Sequence, residues 1–88
     1  MELMDYHGRS YFRALVYLGI GWTVEETAQL KGVTVRSVRQ YRRKALQELG
    51  ARDVAHAMEI LMERGELTPE EAAPVTDEER AGLHRSYY

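Results

Sequence analysis

Cysteine is absent from these 88 residues, so neither a disulfide framework nor a thiolate metal site is open to the chain. The three histidines, His7, His56 and His84, are scattered, with no pair at ligand spacing, and no metal or other cofactor is expected. No apolar run is long enough to span a bilayer and no signal-peptide pattern is present, which predicts a soluble chain in a reducing, cytoplasmic setting. No Ser/His/Asp set or carboxylate pair falls in a pattern that would build a pocket. The tyrosines Tyr6, Tyr11, Tyr17, Tyr87 and Tyr88 have no positioned base beside them in sequence, and the chain is not expected to be an enzyme. No strand alternation and no internal repeat occurs.

Charge is present but segregated. Six basic residues (Lys31, Arg36, Arg39, Arg42, Arg43 and Lys44) lie between Glu26 and Glu48 with no acid among them. Six acids (Glu66, Glu70, Glu71, Asp77, Glu78 and Glu79) follow later with no base among them, so the net charge of −2 hides a local basic face. A solvated helix face normally interleaves acids with its bases as i,i+4 pairs, and this basic stretch does not.

Four helices and a tail are predicted. The first runs from about Arg9 to Leu18, with Tyr11, Phe12, Leu15 and Val16 inward, until Gly19 and Gly21 break it. Neither glycine makes a phosphate loop, because no strand precedes and no Lys-Ser/Thr follows. Trp22 is expected to plug the core between the first two helices. Thr23-Val-Glu-Glu26 is a capping box opening a short helix to Lys31, with Val24, Thr27, Ala28 and Leu30 inward. Gly32 is its C-cap, and Thr34 caps a longer helix, 35–49, that ends at Gly50. Short helix, glycine turn and long basic helix make a helix-turn-helix. In the long helix Val35, Val38, Leu46 and Leu49 share one side, and Arg36, Arg39, Gln40, Arg43 and Gln47 the other.

Asp53 caps the fourth helix and Gly65 stops it. Val54, Ala57, Met58 and Leu61 form its stripe, and Ile60 and Met62 widen the apolar surface, so that part of this helix either sinks into the chain's own core or packs on a second copy. Thr68-Pro-Glu-Glu71 and Thr76-Asp-Glu-Glu79 are further capping boxes. Ala73-Pro74 cuts the first short, and the second opens a helix to about His84 that is frayed or ordered only when docked. The division expected is a helix-turn-helix domain over 1–66 and an acidic tail over 67–88.

The stretch from Gly21 to Leu67 resembles the DNA-binding domain of the LuxR/GerE family. The resemblance rests on Glu26-Thr-Ala28, Gly32-Val-Thr34, Ser37-Val38-Arg39, Leu49-Gly50-Ala-Arg52, His56-Ala57 and Arg64-Gly65. Val38-Arg-Gln-Tyr-Arg-Arg-Lys-Ala-Leu46 also resembles the last helix of the fourth region of sigma factors, a related fold. A fourth helix follows here, which favours LuxR/GerE. Tyr41 stands where that family often has histidine, Glu48 replaces a common lysine, and the acidic tail is outside the family pattern. The resemblance implies an all-α, four-helix domain of a prokaryote or phage that binds double-stranded DNA as a homodimer and regulates transcription, as a repressor or autoregulator. With no receiver or sensing domain ahead of the helices, a stand-alone reader is expected.

Carried onto this chain, the recognition helix is 35–49, and the DNA-binding residues are Thr34, Arg36, Ser37, Arg39, Gln40, Arg43 and Lys44. Arg39 and Arg43 are the candidates for guanine, Gln40 for adenine, and Arg36 and Lys44 for phosphates. Arg42 is expected in an internal salt bridge to Glu26. The dimer interface is expected to use Val54, Ala57, Met58, Leu61 and Met62. The alternative is a sigma-region-like module that binds RNA polymerase or another regulatory protein through the acidic tail.

Overall fold

A computed structural model describes residues 10–87, and among these the protein is all-helical. Five helices follow one another: α1 (Ser10–Gly19), α2 (Val24–Lys31), α3 (Val35–Leu49), α4 (Val54–Glu63) and α5 (Asp77–Tyr87). Arg9, expected to open α1, lies outside the described residues, as do Tyr6, His7 and Tyr88.

The helix starts follow from short-range hydrogen bonds. Thr23 accepts from the Glu26 amide at 3.0 Å while the Glu26 carboxylate accepts from the Thr23 amide at 3.0 Å, the reciprocal box that satisfies two orphan donors. Asp53 caps α4 by accepting from the His56 amide at 2.8 Å. Between α2 and α3 the chain turns at Gly32, whose φ is 69°. The Val33 amide donates to Ala28 O at 3.0 Å and the Gly32 amide to Gln29 O at 3.3 Å. This pair of bonds needs a left-handed residue, a conformation that costs glycine least.

Packing then joins the elements. α1 lies against α2, α3 and α4, and α3 lies against α2 and α4. Phe12 and Leu15 from α1, Ala45 and Leu49 from α3, Ala57, Met58 and Leu61 from α4, and Leu67 beyond it make one buried cluster. Each large aliphatic or aromatic side chain buried this way contributes about 1.5–3 kcal/mol. Gly19 closes the α1–α4 approach: a Cβ there would lie 2.4 Å from Met58 Sδ.

Three expectations change in three dimensions. Ala57, Met58 and Leu61 belong to the chain's own core, so of the five residues expected at a dimer contact only half-buried Val54 and exposed Met62 keep surface to offer. Leu30, expected inward, is exposed, and the residues that α2 buries are Glu26, Thr27 and Ala28. Trp22 is half-buried rather than a core plug, and the Arg80 guanidinium lies over its ring at 5.5 Å to the centroid. Of the two states expected for the segment after Leu67, frayed or docked, residues 67–87 are in the docked one. Leu67 is in the main core, the Val75 amide donates to Ile20 O at 2.8 Å, and Leu83 of α5 is buried. The Thr68 box yields a single turn before Pro74, whereas the Thr76 box opens α5.

Candidate nucleic-acid interface

α3 is cut into an inner and an outer side by residue spacing of about 100°. Val38, Ala45 and Leu49 are buried, and Val35, Tyr41, Arg42 and Leu46 are half-buried beside them. Opposite lie Arg36, Arg39, Gln40, Arg43 and Gln47, all exposed and spread over an arc of roughly 100°. Among the described residues none of the three arginines of this arc has an ion-pair partner. The face therefore joins three uncompensated guanidinium groups to two carboxamides on a helix anchored from behind.

The N-terminus of α3 is tightly made. The Thr34 hydroxyl accepts from the Ser37 amide at 3.0 Å and donates to Ser37 Oγ at 3.0 Å, which leaves the Ser37 proton to be donated elsewhere. At the other end Lys44 leaves the arc. Its Nζ lies 5.4 Å from the centroid of the Tyr11 ring, and the Tyr11 hydroxyl donates to Glu48 at 3.2 Å. Lys44 thus faces α1 rather than standing with Arg36 and Arg43.

The start of α2 is held by a charge cluster that sequence spacing assigned differently. Glu26, buried, pairs with Arg80 and His84 of α5 and not with Arg42. Arg42 sits only about 40° around α3 from Val38 and has no ion pair among the described residues. Burial alone would raise the Glu26 pKa, but the Thr23 amide, His84 and Arg80 outweigh it and bring it down to about 2. Arg80 also donates to Gly21 O at 2.7 Å. The sequence signal reaches only as far as a shared face: Arg80, Leu83 and His84 fall on one side of a helix opened by the Thr76 box, which does not name Glu26 as their partner. Lys31, at the end of α2, has its pKa lowered by burial and by the charge of Arg13.

Among the described residues no ion pair joins Glu70, Glu71, Asp77, Glu78 or Glu79 to the arginines of α3, and no cluster of His, Asp and Glu could hold a metal ion. No helix there is long and apolar enough to cross a membrane. Comparison with protein-family models, with curated proteins and with solved structures found no match to this chain.

Proposed function

We propose that this protein is a sequence-specific reader of double-stranded DNA that regulates transcription, with α3 in the major groove. The observation that carries the reading is the exposed Arg36/Arg39/Gln40/Arg43 arc, without an ion pair among the described residues, on a helix whose opposite side is buried in the core. Guanidinium groups match guanine O6/N7, a carboxamide matches adenine N6/N7, and hydroxyls at the N-terminus of a helix suit a phosphate. The likeness of Gly21–Leu67 to LuxR/GerE domains supports the same reading and adds a homodimer on an inverted repeat, acting as a repressor or autoregulator. Half-sites would then lie about 10 bp apart.

The test is selection of bound sites from random duplexes, followed by titration of Arg39→Ala and Arg43→Ala against the selected and a scrambled duplex. Each variant is expected to lose about 1–3 kcal/mol of discrimination. Equal loss on both duplexes removes the base-reading assignment, and indifference of the unmodified protein to any duplex at low salt removes the reading altogether.

A second reading has one observation in its favour: Glu70, Asp77 and Glu78 are exposed. Exposed carboxylates of this kind suit a basic surface on RNA polymerase or another regulator. Glu70→Gln, Asp77→Asn and Glu78→Gln together leave both capping carboxylates, Glu71 and Glu79, in place. Loss of polymerase capture with unchanged DNA affinity would favour this second reading.

A further inference from the structure

α2 has less apolar anchorage than α1, α3 or α4. α1 buries Phe12 and Leu15, α3 buries Val38 and Leu49, and α4 buries Met58 and Leu61. α2 buries Glu26, Thr27 and Ala28, while Val24 is half-buried and Leu30 exposed. Ala28 offers the core a single methyl group, and the Thr27 hydroxyl is shut in without a hydrogen-bond partner. That leaves Glu26. Beyond its own capping box, it is held by Arg80 and His84 of α5.

The segment that carries these two residues clasps the corner between α1 and α2. The Val75 amide donates to Ile20 O at 2.8 Å, and Arg80 donates to Gly21 O at 2.7 Å. The same guanidinium lies over Trp22 and pairs with Glu26, so one side chain ties the α1–α2 turn to the third residue of α2. We propose that residues 75–84 fix the direction of α2 against α1, with Arg80 as the positioning residue, and that α5 thereby controls how α3 is presented to a duplex. A buried carboxylate that loses its cation is costly to keep inside, so without Arg80 the Glu26 side chain is driven outward and α2 moves with it. α2 packs on α3 and leads into it through the turn at Gly32, so its direction sets where Thr34 and Arg36 stand. The consequence for the duplex rests on the α3 reading; the fixing of α2 does not, and is tested without DNA.

Residual dipolar couplings on the full chain read the helix directions. In the unmodified protein those of α1, α2, α3 and α4 should fit one rigid body. In Arg80→Ala, α1, α3 and α4 should still do so, while the couplings of α2 fall outside the common fit. Glu26→Gln keeps a side chain that can close the capping box but carries no charge for Arg80, and it should release α2 in the same way. It decides alone if Arg80→Ala does not fold. The assignment is overturned if α2 stays in the common fit, or if all four helices leave it together. With DNA, Arg80→Ala should bind the selected duplex at least about tenfold more weakly, the size of one lost base contact. Its affinity for a scrambled duplex should stay within about twofold, with the salt slope unchanged, because that binding needs charge rather than geometry. Equal loss on both duplexes, or no loss on either, overturns the positioning role. If the unmodified protein binds no duplex, the DNA reading falls and takes α5's control with it, while the couplings still decide what fixes α2.

Discussion

Glu26, the third residue of α2, takes the guanidinium of Arg80 across a sequence separation of 54. The same carboxylate accepts from the Thr23 amide, which closes the capping box, and lies 2.9 Å from His84 Nε2. One buried group therefore starts the first helix of the helix-turn-helix and fastens α5 to it.

This cluster sets a pH dependence. A carboxyl whose folded pKa lies at about 2, below its ordinary value, stabilises the folded state fully above that ordinary value. The stabilisation is lost as pH falls from about 4.5 towards 2. Urea unfolding from pH 7 down to pH 2 should show the wild type losing its advantage over Glu26→Gln in that window. The advantage near neutrality is expected to be roughly 1–3 kcal/mol. A constant gap across the range would mean that the charge of Glu26 does not hold α5.

Trp22 is the sole tryptophan, so it reports on the docking of α5 directly. Arg80→Ala uncovers the indole face and leaves Glu26 without its guanidinium. Tryptophan emission should move to longer wavelength, with a stability loss of about 1–3 kcal/mol. An unmoved emission maximum would place α5 elsewhere in solution.

Arg36 and Lys44 separate in their effect on DNA. Arg36→Ala should weaken all duplexes alike and lower the salt slope by about 1. Lys44→Ala should barely change either, since its ammonium rests on Tyr11, and should instead cost about 0.5–1 kcal/mol of stability. Salt-dependent titrations and urea melts on the two variants check this together, and a full salt-slope loss for Lys44→Ala would contradict it.

Two glycines differ in why they are glycines. Gly32 has a φ of 69° and open space around an added Cβ, so Gly32→Ala costs only the left-handed backbone, about 1–2 kcal/mol, and Gly32→Asn costs less. Gly19→Ala instead drives into Met58 and should cost about 1–3 kcal/mol by overpacking. Adding Met58→Ala should then be less harmful in the Gly19→Ala background than alone, and a double-mutant cycle measures that coupling.

On α4, adjacent positions should behave oppositely. Leu61→Ala opens a cavity in the core and should cost about 2–5 kcal/mol. Met62→Lys should leave stability within about 0.5 kcal/mol and, where the proposed homodimer uses α4, shift sedimentation to the monomer. A Met62→Lys protein that sediments as the wild type does would move the dimer contact off this surface.

The helix boundaries and the outer face of α3 were legible in the residue order. Thr23, Thr34, Asp53, Thr68 and Thr76 each bond an amide three residues on, and Gly32 and Gly50 end helices through carbonyls within five. Such bonds close within a single turn and need no distant partner. The arc from Arg39 to Gln40 likewise follows from helical spacing alone.

Long-range pairing was not legible. Arg42 and Arg80 are equally good partners for Glu26 on paper, and only the docking of α5 picks Arg80. Met58, Leu61 and Met62 read as one apolar surface, and only the approach of α1 at Gly19 divides it into core and exterior. The cleft between α1, α4 and Leu67 likewise exists only because three segments distant in the chain meet there. Residue order thus determined where this chain is helical and which side of α3 carries its charge, because hydrogen bonding within a turn is local. Which faces meet, what they bury and what they leave open was decided by tertiary packing, because shape complementarity between helices far apart in the chain has no local signature.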